Sequence, residues 1–92
     1  MSRMTYCDAG KAALAESMRI DTTIWAVGED LGRGGVFGQY CGLENEFGPE
    51  RIVSTPISEA AIMGAAVGGA LTGTRPVVEL RFADFALCAV DE

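Results

Sequence analysis

The chain has 92 residues and a mass of 9.7 kDa, which limits it to one small domain. A hydrophobic fraction of 49% and a mean hydropathy of +0.22 exclude a disordered tail and predict that much of the surface is covered. Seven basic and thirteen acidic residues give a net charge of −6, and the basic residues are not clustered in any segment. We therefore expect neither nucleic acid nor an anionic membrane as a partner.

The sequence contains no histidine, which excludes imidazole-based catalytic triads and most zinc sites, so we expect no metal ligand set in this chain. Cys7, Cys41 and Cys88 are widely spaced and predict reduced structural thiols rather than a disulfide framework. The first residues lack both the apolar run of a secretory signal and the composition of an organellar transit peptide. These features predict a cytoplasmic protein.

A helix and a short strand are the first elements in chain order. Thr5 and Asp8 match a capping box, and good helix formers fill residues 9–18. The β-branched and aromatic run Thr22–Val27, bounded by Gly28, predicts a buried strand.

A glycine-rich loop, residues 28–38, follows this strand. Ligands of parallel sheets bind at such a place, but the glycines match neither a dinucleotide fingerprint nor a phosphate-binding loop. A flexible connection is therefore the simpler interpretation. A second helix, ended by Gly48 and Pro49, is predicted by the helical spacing of four apolar residues, Val36, Tyr40, Leu43 and Phe47.

A third helix, Glu59–Leu71, is predicted after a brief strand at Ile52–Val53, with Ser58 as its N-cap. It consists largely of Ala and Gly, although each interior glycine costs about 1 kcal/mol of helix propensity. We expect other groups to approach its backbone closely on more than one face. Its apolar run is too short to span a bilayer.

The last predicted strand is Val77–Phe82, in which Glu79 and Arg81 share a face and can pair. Residues 83–92 predict the beginning of another helix that stops without a capping glycine. Alternating strands and helices predict an α/β fold, with part of a parallel sheet and helices on both of its faces. The expected unit is a truncated piece of a larger domain.

Glu59 is the carboxylate most suited to chemistry in a chain without histidine. Its neighbours in sequence are mostly apolar, and burial among them would keep the carboxyl protonated and able to donate a hydrogen bond. The alternative is structural, because an acidic residue in the first turn also stabilises the helix dipole.

Five segments occur in the same order as in one known family: Val27–Asp30, Gly34–Gly38, Phe47–Ile52, Thr55–Glu59 and Arg75–Phe85. With them the chain resembles, over essentially all 92 residues, the beta subunit of the thiamine diphosphate-dependent first component of 2-oxo acid dehydrogenase complexes. Residues 1–92 would correspond to the N-terminal portion of its transketolase-like pyrimidine-binding domain. The rest of that domain and the C-terminal domain would be absent.

The resemblance implies a catalytic role for Glu59, as the carboxyl that hydrogen-bonds ring nitrogen N1′ of the aminopyrimidine of thiamine diphosphate. It also implies that Ile57 and Phe85 bind the cofactor by lining the pyrimidine, with Phe85 offering a face for stacking. The implied reaction is oxidative decarboxylation of a 2-oxo acid, with acyl transfer to a lipoyl carrier. Pyruvate, a branched-chain 2-oxo acid and acetoin are the substrates found in the family.

The implied partners are an alpha subunit, which would hold the diphosphate and its Mg²⁺, a second beta subunit, and the lipoyl-bearing acyltransferase core. This chain would supply one half of a cofactor site. Two alternatives remain open: a non-catalytic module that only pairs with other subunits, and a fragment of a transketolase or deoxyxylulose phosphate synthase type of enzyme.

Overall fold

The computed structural model describes residues 5–35, 38, 40–80 and 87–90. Their elements in chain order are α1 (Tyr6–Ile20), β1 (Ile24–Glu29), a 3-10 turn (Leu31–Arg33), α2 (Leu43–Phe47), β2 (Ile52–Thr55), α3 (Glu59–Leu71) and β3 (Arg75–Glu79). Within the predicted final helix, residues 87–89 form a second 3-10 turn. Five expectations lie outside the described residues: the position of Phe85, the pairing of Glu79 with Arg81, the place of Val36 in the second helix, the end of the last strand at Phe82, and the rest of the final helix.

The three strands form a parallel sheet in the order β2-β1-β3. The pairs Ala26↔Ile52 and Ala26↔Val77 place the first strand of the chain in the middle. Because each connection between parallel strands must cross over the sheet, the connecting segments cover its faces. The predicted α/β class is confirmed.

Side-chain alternation along the strands divides the core into two layers. On one face, Met18 of α1 and Leu43 of α2 pack with Ala26 and Ile52. On the other face, Ile62 and Ala66 of α3 pack with Val27 of β1 and the partly buried Val53 and Val78. In this second layer, α3 lies mainly against β3 and β1 rather than β2.

The beginning of α1 is as predicted, since the Thr5 hydroxyl accepts a hydrogen bond of 3.1 Å from the backbone N–H of Asp8. The predicted strand Thr22–Val27 is displaced by two residues. The Asp21 carboxylate accepts hydrogen bonds from the backbone N–H (2.9 Å) and the hydroxyl (2.6 Å) of Thr23, which holds Thr22 and Thr23 in a turn. The strand then continues through Gly28 to Glu29.

The second helix is shorter than the apolar spacing predicts. Gly38 and Gly42 have φ values of 76° and 82°, a left-handed conformation that interrupts a right-handed helix. Tyr40 therefore lies in a turn before α2. Gly48 ends α2 with a φ of 86°, as the sequence predicts.

Among the later elements, α3 spans Glu59–Leu71 as predicted, but its cap and the start of β3 differ from expectation. The side chain of Ser58 makes no capping hydrogen bond to α3, so its predicted role as a side-chain cap is wrong. β3 begins at Arg75 and includes Pro76. The Arg75 N–H donates to the Thr23 carbonyl of the neighbouring turn, so the nitrogen of Pro76 faces away from β1, where no ladder bond is lost.

Candidate active site at the carboxyl edge of the sheet

The parallel strands end together at one edge of the sheet. Their last residues are Glu29 of β1, Thr55 of β2 and Glu79 of β3, and Glu59 begins α3 just beyond the same edge. Glu29 and Thr55 are partners in the register of β1 and β2. Ligands of open parallel sheets bind outside this edge, so these four residues define the candidate site.

Glu59 occupies the first turn of α3, as the sequence predicts, and it is half-buried. Helical spacing puts it on the opposite side of the fully buried Ile62 from Ala61 and Ala65. Ile57 is 74% exposed, so the apolar enclosure expected around Glu59 is incomplete within the described part of this chain. The structure places Ile57 and Glu59 together in one short segment; Phe85 is not among the described residues.

Glu29 is a buried carboxylate that the sequence pattern did not single out. It is 6% exposed and lies at the end of the central strand. The apolar run predicts that the strand ends at Val27, which would leave Gly28 and Glu29 in the loop. A signal was nevertheless present, because an acidic residue directly after a buried strand of a parallel sheet points to the ligand-binding edge.

Gly28 allows β3 to come close to β1 at this edge. A Cβ atom there would lie 2.7 Å from the Glu79 carbonyl oxygen and 2.8 Å from the Glu79 Cβ. Glu79 accepts a hydrogen bond of 3.0 Å from the hydroxyl of Tyr40, which is 6% exposed. Burial raises the pKa of the Tyr40 phenol, and the adjacent carboxylate raises it further.

The segment between β1 and α2, which contains the glycine-rich loop, is tied to both outer strands. On one side, the backbone N–H of Gly32 donates to the Ser54 hydroxyl over 2.8 Å. On the other, Tyr40 donates to Glu79. These two hydrogen bonds restrain the segment at Gly32 and at Tyr40, and the flexibility of the glycines between them stays a prediction.

An apolar pocket of about 330 Å³ lies at the same edge, between α3 and β2. Its lining among the described residues includes Thr55, Ile62 and Ala65 and contains no charged side chain. The Thr55 hydroxyl oxygen is buried and has no hydrogen-bond partner within the described part of the chain. A buried hydroxyl in this state costs roughly 1–3 kcal/mol.

The cysteines are free, as predicted, but all three are exposed rather than buried. No group of three potential metal-ligating side chains occurs among the described residues. Within residues 5–35, 38, 40–80 and 87–90, we find no helix with the length and apolar character needed to traverse a bilayer.

The parallel sheet with helices on its faces defines an α/β fold, a class in which ligands bind at the carboxyl edge where Glu59 begins α3. The comparison with family models gives the particular class: residues 2–92 match the model described as transketolase, pyrimidine binding domain. The chain belongs to this family.

Two curated relatives illustrate the similarity. The chain is 46% identical over 93 aligned positions to the 2-oxoisovalerate dehydrogenase subunit beta of Bacillus subtilis, covering 100% of this chain and 28% of the relative. It is 42% identical over 93 positions to the pyruvate dehydrogenase E1 component subunit beta of Staphylococcus epidermidis, covering 100% of this chain and 29% of that relative. The chain thus spans less than a third of the length of these relatives.

The chemistry of the edge fits one end of thiamine diphosphate. Three of its four defining residues are glutamates, so it suits the basic aminopyrimidine ring and disfavours the diphosphate. The half-buried carboxyl of Glu59, at the start of α3, is also suited to forming a hydrogen bond with a ring nitrogen.

Proposed function

We propose that this chain forms the aminopyrimidine half of the thiamine diphosphate site in the first component of a 2-oxo acid dehydrogenase. The observation that carries the proposal is the position of Glu59, at the carboxyl edge of a sheet that belongs to the pyrimidine-binding family. The relatives named as beta subunits of pyruvate and 2-oxoisovalerate dehydrogenases support this choice over transketolase or deoxyxylulose phosphate synthase.

Within this proposal, Glu59 shares a proton with ring nitrogen N1′ and fixes the ring orientation. Its half-buried position leaves one side open for the ring, and closure of the site would remove the remaining water. Ile57 supplies an exposed apolar surface beside it, and Phe85 would stack on the ring. The bound cofactor supplies the electron sink for decarboxylation of the 2-oxo acid.

Three of the four residues that define the described edge are glutamates, which suits the diphosphate poorly, and we propose that a partner subunit holds that end of the cofactor. We assign the diphosphate and Mg²⁺ to an alpha subunit, and expect a second beta subunit and a lipoyl-bearing acyltransferase core in the complete assembly. The exposed apolar residues Leu71 (83%) and Val67 (40%) of α3 support subunit packing on this helix. A cytoplasmic location remains a prediction, since one relative, from Oryza sativa, is named as mitochondrial.

The test is Glu59→Gln in the full-length beta chain assembled with its alpha partner. Glutamine keeps the shape but cannot exchange the proton, so we expect the decarboxylation rate to fall by about 10²- to 10⁴-fold. Calorimetric titration with thiamine diphosphate and Mg²⁺ would report binding separately from turnover. Glu16→Gln, an exposed position on α1, makes the same charge change away from the edge and serves as the control.

Wild-type turnover in Glu59→Gln would contradict the catalytic role. If cofactor binding were also unchanged, the non-catalytic interaction module would become the better account of the chain. If binding and assembly persist while turnover is lost, the assignment of Glu59 as the activating carboxyl holds.

A further inference from the structure

The two ends of α3 are held in different ways. Near its C-terminal end, the Gly69 carbonyl accepts hydrogen bonds from the hydroxyl of Thr74 (2.7 Å) and from the Thr74 backbone N–H (3.0 Å). At its start, the Ser58 side chain makes no capping hydrogen bond, and Ile57 is 74% exposed. Thr74 therefore attaches the end of the helix that lies away from Glu59.

Trp25 of β1 connects this end of the helix to the central strand. Its indole N–H donates to the Thr74 hydroxyl over 2.9 Å, so a chain of hydrogen bonds runs from Trp25 through Thr74 to Gly69. The indole also packs closely on the helix, since a Cβ atom at Gly69 would lie 2.8 Å from Cζ2 of Trp25. Bonds in such a chain polarise and strengthen one another. We call Trp25, Gly69 and Thr74 the α3 anchor.

The anchor can act on Glu59 because a helix transmits a displacement along its axis. At the usual helical rise, Glu59 and Gly69 lie about 15 Å apart along α3. Between them, Ile62 and Ala66 pack on the sheet through apolar contacts, which are non-directional. Hydrogen bonds, in contrast, require particular distances and angles. The hydrogen-bonded end therefore determines where Glu59 lies along the sheet.

We propose that the α3 anchor sets the position of Glu59 at the carboxyl edge, which makes its three members positioning residues for the proposed reaction. The role of the anchor rests on the proposed function, in which Glu59 hydrogen-bonds ring nitrogen N1′. A methyl group on Gly69 would force Trp25 and α3 apart. A misplacement of about 1 Å at a reacting group can lower a rate by about 10²-fold. The anchor also explains why a glycine occupies this helical position in spite of its low helix propensity.

The test compares variants of the full-length beta chain assembled with its alpha partner, each at a temperature at which its melting curve shows it folded. We expect Gly69→Ala to lower kcat by about 10- to 100-fold, with KM for the 2-oxo acid within about twofold of wild type. Calorimetric titration with thiamine diphosphate and Mg²⁺ should show a rise in Kd of about three- to tenfold, because the hydrogen bond to N1′ is weakened. Gly68→Ala adds the same methyl where it meets nothing within 4 Å and should leave all three constants unchanged.

Two further changes separate positioning from loss of stability. Thr74→Val removes both hydroxyl hydrogen bonds and should lower kcat about three- to tenfold, whereas Thr74→Ser keeps them and should stay within about twofold of wild type. Trp25→Phe removes the ring atoms that the added methyl would meet. Gly69→Ala introduced into the Trp25→Phe chain should therefore lower kcat by less than about threefold.

Wild-type kcat and Kd in Gly69→Ala would overturn the role of the anchor, and so would an equal loss of kcat in Gly68→Ala. An undiminished effect of Gly69→Ala in the Trp25→Phe chain would also reject it, because contact with the indole would then not be the cause. Wild-type turnover in Glu59→Gln would count against the proposed function. Loss of turnover in Glu59→Gln together with wild-type constants in Gly69→Ala would reject the anchor alone.

Discussion

Gly28 illustrates how a single missing side chain shapes the site. A side chain at this position would point into the backbone and Cβ of Glu79, so its absence lets β3 bring its terminal carboxylate beside the central strand. A larger residue would separate the strands at the edge where the candidate site lies. The constraint is local, because a Cβ added at Gly10 on α1 would meet nothing within 4 Å.

Gly28→Ala and Gly10→Ala should therefore change stability in opposite directions. The added methyl at position 28 would lie 2.7 Å from a backbone oxygen, and we expect a loss of about 1–3 kcal/mol. At position 10, alanine improves helix propensity and should add about 0.5–1 kcal/mol. Urea denaturation of both variants checks this, and a Gly28→Ala protein as stable as wild type would contradict the close approach.

At the scale of elements, α3 shows how much tighter one face of a helix can be than another. A Cβ at Gly69 would lie 2.8 Å from Cζ2 of Trp25 and 3.0 Å from the Thr74 hydroxyl. Those two side chains are themselves joined by a hydrogen bond of 2.9 Å and cannot easily separate. A Cβ at Gly68, the adjacent residue, would meet nothing within 4 Å. Within the described chain, other groups therefore come close to the backbone of α3 at Gly69 but not at Gly68.

Gly69→Ala should lower the free energy of unfolding by about 1–3 kcal/mol, since the Trp25 ring must be displaced. Gly68→Ala should raise it by up to about 1 kcal/mol, because only helix propensity changes. Thermal unfolding followed by circular dichroism distinguishes the two. Shifts of the same sign in both variants would mean that propensity, not the contact with Trp25, governs the helix.

The elements themselves were largely predictable from sequence, because their signals are local. The Thr5 cap, the β-branched run of β1 and the small-residue run of α3 each reflect a preference of nearby backbone. The residues at which the elements end were harder to predict. Glu29 joins β1 because the ladder to β2 continues to the pair Glu29↔Thr55, and that contact joins residues far apart in sequence. The partner of Tyr40 could not be predicted either, since it also lies on β3.

At the scale of the whole molecule, the segment between β1 and α2 is hydrogen-bonded to both outer strands. These bonds therefore contribute to the free energy of unfolding of the whole domain. Tyr40 is nearly inaccessible, and its ionisation would place a second negative charge beside Glu79. The folded protein consequently keeps the phenol neutral, with a pKa above the value of about 10 expected for an unfolded chain. This contribution to stability is complete below about pH 10 and is lost as the pH rises above it.

We expect the free energy of unfolding to fall by up to about 1.4 kcal/mol per pH unit above pH 10 through this group. Tyr40→Phe should remove that slope and, by losing the hydrogen bond to Glu79, cost about 1 kcal/mol at neutral pH. Tyr6→Phe, at a side chain that is 98% exposed, should leave neutral-pH stability unchanged. Denaturation curves between pH 7 and 11 measure both effects; an undiminished slope in Tyr40→Phe would assign it to other groups.

The strand order also determines how the chain can fold as it is synthesised. β1 is made first, yet both of its ladder partners are made later, the nearer one ending at Thr55 and the farther one at Glu79. A nascent chain that has emerged only as far as β1 therefore presents an apolar strand without the two ladder partners that follow it. Pairing must wait for long loops to close, which makes folding slow relative to a hairpin of equal size. We therefore expect the nascent chain to need protection from aggregation until β3 emerges.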